Sequence, residues 1–446
     1  MSSAKKIGLF ACTGVVAGNM MGSGIALLPA NLANIGGIAI WGWIISIIGA
    51  MSLAYVYARL ATKNPQQGGP IAYAGEISPA FGFQTGVLYY HANWIGNLAI
   101  GITAVSYFST FFPALNDPVP AGIACIAIVW VFTFVNMLGG TWVSRLTTIG
   151  LVLVLIPVVM TAIIGWHWFN SVTYAANWNT SQSTDSQAII KSILFCLWAF
   201  VGVESAAVST GMVKNPKRTV PLATMMGTGL AGIVYIAATQ VLSGMYPSSV
   251  MAVSGAPFAI SASTILGNWA APIVSAFTAF ACLTSLGSWM MLVGQAGVRA
   301  ANDGNFPQVY GEVDSNGIPK KGLLLAAMKM TALMILITLM NSAGGKASDL
   351  FGELTGIAVL LTMLPYFYSC VDLIRFEGIN IRNLASLVCS VFGCVFCFIA
   401  LMGANSFELA GTFIISLIIL MFYARKMHDR QSQSHSIDNQ NTPNAH

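Results

Sequence analysis

Residues 192–213 read SILFCLWAFVGVESAAVSTGMV, an apolar stretch that contains a single charge, Glu204. A carboxylate in hydrocarbon costs at least about 2.5 kcal/mol even on the lenient insertion scale, so it should face a cavity or a cation. Gly202 and Val203 precede it and weaken the helix at the same place. The stretch therefore predicts a membrane-spanning helix that is interrupted at a functional carboxylate.

The composition of the whole chain agrees with a membrane location. The chain has 446 residues, of which 56% are hydrophobic and only 7% are charged, whereas soluble domains carry roughly 25% charged residues. Apolar runs of about 20 residues suit α-helices that cross the bilayer, not the alternating strands of a barrel. The sequence predicts an all-α integral membrane protein with about twelve spans. The predicted spans are residues 10–34, 37–60, 83–111, 119–138, 144–169, 188–211, 219–245, 270–300, 322–341, 348–374, 381–402 and 406–426.

The basic residues of the loops predict the orientation. With the N-terminus inside, the loops on the opposite side hold only Lys191 and Lys346, as the positive-inside rule requires. An even number of spans then places both termini in the cytoplasm. The formal net charge of +5 is therefore a topology signal, and nucleic-acid binding is not predicted, since no aromatic platform accompanies these residues.

Two spans carry an interruption near their middle. The first contains the glycine-rich run 18–24 and the sixth contains residues 202–205; in lipid, broken backbone persists where it lines a cavity or binds something. These spans are five apart, as corresponding members of a five-plus-five inverted repeat are, and this arrangement is typical of secondary transporters with a site at the midplane. The alternative is that the glycines only allow close helix packing.

The predicted organisation has five parts. They are a cytoplasmic N-terminus (1–9), a first repeat (10–175), a second repeat (176–375), two further helices (376–426) and a disordered cytoplasmic tail (427–446), which is too polar to fold alone.

Other function classes lack their motifs. Residues 344–348 only partly match a phosphate loop, and no span carries a ladder of basic residues, so an ATP-driven pump and a voltage-gated channel are not favoured. Cys394 and Cys397 have C-x-x-C spacing, but no histidine or acid lies near them in sequence to complete a metal site. No cofactor is predicted. An enzyme is not predicted either, because no span pairs a histidine with an acid or a serine.

The two breaks predict opposite ligand preferences at their two ends. Amides that begin a half-helix attract anions, so Gly22, Ser23 and Gly24 suit a carboxylate. Carbonyls that end a half-helix, around Met20 and Val201, suit an ammonium. Together they fit the backbone of an α-amino acid.

The surrounding side chains predict the rest of the ligand. Trp198 lies near the middle of its span, Tyr89 shares the third span with Asn93 and Asn97, and Trp289 lies in the eighth. Aromatic faces, amide oxygens and one carboxylate suit a buried alkylammonium, so a basic amino acid fits best. The alternative is an interfacial aromatic belt, which does not explain a mid-span tryptophan.

These arguments yield two groups of candidates. The substrate-binding candidates are Asn19, Gly22, Ser23, Gly24, Tyr89, Asn93, Asn97, Trp198, Val201, Gly202, Glu204 and Trp289. The gating or pathway candidates are Tyr73, Glu76, Tyr90, Tyr235, Asp303 and Tyr366. For Tyr235 and Tyr366 a purely structural bond between helices is the alternative, and for Asp303 an ordinary Asp-Gly turn.

Several motifs carry a family resemblance. They are GNMMGSG (18–24), GGPIAY (68–73), WIGN (94–97), WAFVGVES (198–205) and KNPKR (214–218). With them the whole chain resembles the basic amino acid/polyamine antiporters of the amino acid-polyamine-organocation superfamily. The resemblance implies the leucine-transporter-like inverted repeat and exchange of an amino acid for its decarboxylation product. It also implies substrate roles for Ser23, Asn97, Trp198 and Trp289, and gating or proton-sensing roles for Tyr89, Glu204 and Tyr366.

Asn93 and Ala358 differ from the arginine-exchanging relatives, which have cysteine and serine there, and this difference disfavours a guanidinium. We therefore expect exchange of external lysine for internal cadaverine across a bacterial inner membrane, with the lipid bilayer and a cytoplasmic lysine decarboxylase as partners and a homodimer left open. Proton-coupled uptake of cadaverine or a basic amino acid is the alternative within transport, and a cation channel the alternative outside it.

Overall fold

The computed structural model describes residues 8–21, 24–63, 69–138, 141–204, 214–344, 347–404 and 406–441. Within these ranges the chain forms helices and short connections and has no β-strand, as the sequence predicts. The helices are α1 (Leu9–Met21), α2 (Leu28–Ala33), α3 (Ala39–Lys63), α4 (Pro70–Ile77), α5 (Pro79–Phe108), α6 (Pro118–Met137), α7 (Thr141–Ile164), α8 (Ser171–Ala176), α9 (Asp185–Trp198), α10 (Pro216–Met245), α11 (Ser248–Met251), α12 (Pro257–Leu266), α13 (Ala270–Asn302), α14 (Lys320–Asn341), α15 (Ala347–Glu377), α16 (Leu384–Met402) and α17 (Ser406–Asn441).

Most of the predicted spans correspond to long apolar helices. Among the described residues, eight helices are long and apolar enough to cross a membrane, namely α3, α6, α7, α10, α13, α14, α15 and α16 with small differences at their ends. The remaining predicted spans coincide with α1 and α2, with α5, with α9 and with the first half of α17. The prediction of an all-α membrane protein is therefore confirmed.

Both predicted breaks are present in the described chain. The first span is divided between α1, which ends at Met21, and α2, which begins at Leu28. In the sixth span the helix ends at Trp198, earlier than the predicted break at Gly202. The reason is that the amides of the next residues bond three residues back, for example Val201 to the Trp198 carbonyl, and tighten the chain into a turn. Gly202 follows with a φ of +106°, which an L side chain rarely adopts.

The packing of the helices repeats itself after five spans. α5 packs on α15, and α13 packs on α7; α1 packs on α10, and α9 packs on α3. The short helix α4 before α5 contacts α5 and α15, and the short helix α12 before α13 contacts α13 and α7. When each span is replaced by the one five places away in the other half, the first contact of each pair becomes the second. This is the packing that an inverted repeat requires. The boundaries at residues 175 and 375 remain predictions.

The C-terminal helix is longer than expected. α17 continues to Asn441, whereas the sequence predicts a disordered tail from residue 427. Residues 427–441 contain neither glycine nor proline, so nothing in their sequence ends a helix that has already begun.

A backbone crossing joins the end of the first span to the segment before the sixth. The amides of Gly37 and Ile38 donate to the carbonyls of Asn177 and Trp178 at 2.8 Å each. Gly36 lies at this crossing with a φ of +104°, and a Cβ there would lie 2.3 Å from the Asn177 oxygen. The crossing therefore has room only for glycine.

We expect Gly36→Ala to destabilise the protein by about 2–4 kcal/mol, because the strained φ alone costs of order 1–3 kcal/mol and the clash adds to it. The measurement is thermal unfolding of the purified protein, followed by tryptophan fluorescence. Gly317→Ala is the matched control, since Gly317 also has a positive φ but nothing lies within 4 Å of its Cβ position. Equal losses in the two variants would show that the crossing does not matter.

Candidate functional site

A small cavity lies between the two helix breaks, with Met20 and Gly24 from the first break and Trp198 and Val201 from the second in its wall. Its lining consists of Met20, Gly24, Ala92, Asn93, Gly96, Asn97, Ile100, Trp198, Val201, Trp289, Ala358 and Thr362. The predicted substrate-binding residues among them are Gly24, Asn93, Asn97, Trp198, Val201 and Trp289. The structure thus brings together residues from five separate parts of the chain.

The Trp198 indole forms one wall of the cavity. A Cβ built on Gly24 would lie 3.8 Å from its Nε1, and one built on Gly96 would lie 3.4 Å from its Cη2. The ring also meets Phe351 edge to face, with centroids 6.3 Å apart. The indole therefore packs between the first break and α5 at the wall of the cavity.

Asn97 supplies the most polar part of the lining. Its side chain is 1% exposed, and neither its Nδ2 nor its Oδ1 has a hydrogen-bond partner among the described residues. The Trp198 Nε1 is also buried without a partner there. Buried polar groups are nearly always paired in folded proteins, so these atoms are suited to a ligand in the cavity.

Glu204 lies beside the cavity but is not part of its lining. It is 1% exposed; its Oε1 accepts a hydrogen bond from the Tyr89 hydroxyl at 2.8 Å, and its Oε2 accepts one from the Tyr366 hydroxyl at 2.9 Å. Both oxygens therefore have donors from other helices, α5 and α15. The three residues predicted to gate or to sense protons form one hydrogen-bonded group, and substrate binding by Glu204 stays a prediction.

Two contacts extend this group. The Asn93 side chain, which lines the cavity, lies against the Tyr89 hydroxyl. On the far side, Tyr57 packs edge to face on Tyr366 with centroids 5.9 Å apart. The carboxylate therefore links the cavity wall to a buried tyrosine on α3.

Tyr235 has a structural place at the sixth-span break. Its hydroxyl donates to the Ala199 carbonyl at 3.0 Å, one residue after α9 ends. Tyr107 does the same at the first break, donating to the Ala26 carbonyl at 2.8 Å. Each break thus has a tyrosine hydroxyl that satisfies a carbonyl outside the regular helix, which a lipid environment requires. Tyr235 does not line the cavity.

Tyr90 points away from the cavity. Its ring meets Phe306 and Tyr310 edge to face, and the Lys329 Nζ lies 4.8 Å from its centroid and 5.0 Å from that of Tyr310. Tyr89 and Tyr90 are adjacent on α5 but serve different neighbours: Tyr89 contacts Glu204, and Tyr90 helps to hold a lysine of α14. Lys329 lies inside the predicted ninth span, residues 322–341.

The acidic gating candidates lie at the predicted cytoplasmic end. Glu76 on α4 pairs with Arg375 at 3.5 Å. Asp303 pairs with Arg299, four residues earlier, at 2.9 Å on an exposed surface, where such pairs contribute little. Tyr73 on α4 is fully buried and packs near Tyr57, with centroids 6.3 Å apart.

The loop after Asp303 is held by its own polar contacts. The Asp314 carboxylate accepts the Ile318 N–H and pairs with Lys320 at 3.0 Å. The Ile318 hydrogen bond, followed by Lys320, lowers the pKa of Asp314 below its usual value. The shift reflects a local turn at the surface, not a binding site.

Three predicted residues cannot be placed fully. Gly22 and Ser23 lie outside the described residues, and Asn19 belongs to α1 but its side chain is not described. Gly202 belongs to the turn after α9 and is absent from the cavity lining, so its contribution is the turn itself.

The sequence reasoning missed several lining residues. Ala92, Gly96 and Ile100 continue the helical stripe of Asn93 and Asn97 on α5. Thr362 lies four residues after Ala358 on α15, and therefore on the same face. Helical periodicity, applied to Asn93, Asn97 and Ala358, would have predicted these positions. Tyr57 lies in a span with no predicted break and no predicted functional charge, so nothing in the sequence singled it out.

The arrangement can hold a small amphipathic cation. Two indoles and two amide side chains face the cavity, while the carboxylate beside it is reached through Tyr89. The described residues contain no cluster of histidine, cysteine and acidic side chains that could hold a metal ion. The chemistry available is binding and release, with a carboxylate that can gain or lose a proton.

Known proteins resemble this chain over most or all of its length. The family model described as amino acid permease matches residues 7–424. The "Cadaverine/lysine antiporter" of Escherichia coli (strain K12) is 93% identical over 446 residues, 100% of both chains. The "Putrescine transporter PotE" of the same strain is 33% identical over 385 residues, 85% of this chain and 86% of that protein, and its Haemophilus influenzae counterpart is 32% identical over 373 residues, 83% and 85% respectively. The chain therefore belongs to the amino acid permease family, and is a multi-pass membrane transporter and not an enzyme, as its sequence predicts.

Proposed function

We propose that this protein exchanges external lysine for internal cadaverine across the bacterial inner membrane. The observation that carries the proposal is the 93% identity, over the whole of both chains, to a relative named as a cadaverine/lysine antiporter. At this identity over the whole length, the two proteins share one fold. The cavity between the breaks supplies the place where exchange occurs.

The lining supports a lysine side chain. The Trp198 and Trp289 faces offer cation-π contacts of about 0.5–2 kcal/mol each in a desolvated site. Asn97 offers an unpaired amide oxygen to the ammonium. Ala358 leaves this part of the wall apolar, where a serine would bond a guanidinium, and the alkyl chain packs against it.

Cadaverine poses a different electrostatic problem. It carries two ammonium groups and no carboxylate, so its second charge needs an acceptor near the cavity. Glu204 is a buried carboxylate beside the cavity, and it is joined to the lining residue Asn93 through the Tyr89 hydroxyl. The same site can then accept a zwitterionic headgroup or a bare ammonium, according to how Glu204 and its tyrosines are arranged.

The exchange changes the charge on both sides. Lysine enters with a charge of +1 and cadaverine leaves with +2, so each cycle exports one positive charge, which couples to voltage at ~2.3 kcal/mol per 100 mV. A cytoplasmic lysine decarboxylase would consume a proton per lysine, and the pair would support acid resistance and polyamine export. Both termini then lie in the cytoplasm, where the positive-inside rule places them.

Proteoliposomes test the exchange directly. We expect labelled lysine to enter vesicles loaded with cadaverine and to stay outside empty vesicles, because return of the empty carrier is not part of an exchange cycle. An inside-negative potential should oppose the exchange, since it exports positive charge. Vesicles that contain only buffer at the same internal pH are the control.

Other results would favour the alternatives. Accumulation driven by a pH gradient alone, with no internal diamine, indicates proton-coupled uptake. Large currents without a counter-substrate indicate a channel. Either result would contradict the proposed exchange.

Glu204→Gln tests the role of the charge. The amide keeps the size of the side chain and can still bond both tyrosines, but it cannot balance an ammonium. We expect the KM for cadaverine to rise about tenfold, in line with ~1.5–3 kcal/mol for a hydrogen bond to a charged group, and the KM for lysine to change much less. The pH dependence of exchange should flatten.

Glu353→Gln is the matched control. This carboxylate lies near the start of α15, three to four turns before Tyr366, and lines a separate cavity. Equal losses for both substrates in Glu204→Gln, with the pH response intact, would argue against this role.

Asn97→Leu separates binding from folding. Since both amide atoms lack partners in the described structure, we expect the substrate-free protein to unfold at an unchanged or higher temperature, while lysine affinity falls about tenfold. Asn136→Leu is the control: the Asn136 Nδ2 donates to two backbone carbonyls, so its loss should cost about 1–3 kcal/mol of stability. A similar loss of stability in Asn97→Leu would indicate a structural role.

A further inference from the structure

A second group of charges lies beyond Glu204, toward the predicted cytoplasmic side. Arg375 pairs with Asp372 at 3.0 Å and with Glu76 at 3.5 Å, and Arg59 pairs with Glu377 at 2.6 Å. These ion pairs join three carboxylates to two guanidinium groups. They tie the end of α15 to α3 and α4.

Asp372 is unusual within this group. It is 1% exposed, its Oδ1 faces Arg375, and its Oδ2 has no hydrogen-bond partner among the described residues. The Tyr73 hydroxyl, on helix α4 that packs against α15, is likewise buried without a partner in the described chain. A buried carboxylate oxygen and a buried hydroxyl that face no donor or acceptor are costly to keep. Together they are suited to a ligand that donates hydrogen bonds and carries positive charge.

An aromatic path connects this place to the gate. Tyr366, which bonds Glu204, touches Tyr57 at 5.9 Å between centroids, and Tyr57 touches Tyr73 at 6.3 Å. Asp372 follows Tyr366 by six residues on α15, about 9 Å along the helix axis. The rings of Tyr366, Tyr57 and Tyr73 therefore form a buried row that begins at a hydrogen-bond partner of Glu204, and aromatic rings attract cations.

We propose that Asp372 and Tyr73 form a cytoplasmic subsite for a primary alkylammonium group of the exported diamine. The subsite rests on the proposed function, and it deepens that function by adding a second place where the diamine binds. Arg375 occupies the Asp372 carboxylate when no substrate is present. Its side chain is 44% exposed, so it can move to solvent while an ammonium with three N–H donors takes its place.

Lysine and cadaverine differ in their need for this subsite. Cadaverine approaches from the cytoplasm with two ammonium groups and gains from a carboxylate at the entrance. Lysine approaches from the outside and reaches the central cavity first. The subsite should therefore affect the KM for cadaverine at the cytoplasmic face and not the KM for lysine at the outer face.

Inside-out and right-side-out membrane vesicles separate the two faces. For Asp372→Asn we expect the KM for cadaverine to rise about tenfold in inside-out vesicles loaded with lysine, as for the loss of a hydrogen bond to a charged group. The KM for lysine in right-side-out vesicles loaded with cadaverine should stay as in the wild type, which also shows that the variant is folded. Tyr73→Phe removes only the hydroxyl and should raise the cytoplasmic KM about threefold.

Arg375→Gln distinguishes a subsite from a structural ion pair. If Asp372 serves the substrate, removing the competing guanidinium lowers the cytoplasmic KM for cadaverine. If Asp372 serves only to hold Arg375, both variants raise the KM alike, and the proposal is overturned. Glu312→Gln is the control. Like Asp372, this carboxylate is paired with a basic side chain, Lys321, but it lies in an exposed loop and belongs to neither α4 nor α15.

The two proposals fail in different ways. If wild-type vesicles show no exchange of cadaverine for lysine, the proposed function is wrong. If the wild type exchanges normally and Asp372→Asn has the same cytoplasmic KM, only the subsite is wrong. Equal losses at both faces in Asp372→Asn and Tyr73→Phe would also overturn the subsite.

Discussion

The bonds from Tyr89 and Tyr366 to Glu204 are the constraint around which the centre of the molecule is organised. A carboxylate inside a membrane must be satisfied or neutralised, and here both oxygens accept from tyrosine hydroxyls on different helices. The helix of the sixth span ends at Trp198, and the turn that follows places Glu204 against α5 and α15. The position of the cavity follows from that break.

The same bonds make the carboxylate responsive to what lies in the cavity. Asn93 lines the cavity and lies against the Tyr89 hydroxyl, so a ligand that pulls on Asn93 changes one of the two donors to Glu204. Protonation of Glu204 acts on the same bonds from the other side, because a protonated oxygen donates where it had accepted. Tyr366 carries either change to Tyr57. In the proposed exchange, substrate and proton would therefore act on one shared set of hydrogen bonds.

The sequence predicted the class, the breaks and half of the cavity lining, because each left a signal in the chain. Composition and apolar length decide the spans, and Glu204 is conspicuous as a lone charge between apolar residues. The direction in which each side chain points could not be predicted. Nothing in the sequence separates Tyr89, which meets Glu204, from Tyr90, which meets Lys329, because only the rotation of α5 decides between them. Tyr57, Asp372 and the early end of α9 at Trp198 likewise depend on neighbours that are distant in sequence.

The spacing of the carboxylates explains why a diamine can leave. Two adjacent acids would bind its two ammonium groups together and hold it, and a pathway must bind weakly enough at each place to release. In the proposed pathway, the row of Tyr366, Tyr57 and Tyr73 rings lies between Glu204 and Asp372, and aromatic rings attract a cation without the strength of an ion pair. At the last carboxylate a guanidinium competes with the ammonium. Each strong contact is therefore followed by a weaker one. At the last carboxylate, the guanidinium takes the place of the departing ammonium, which would otherwise remain bound.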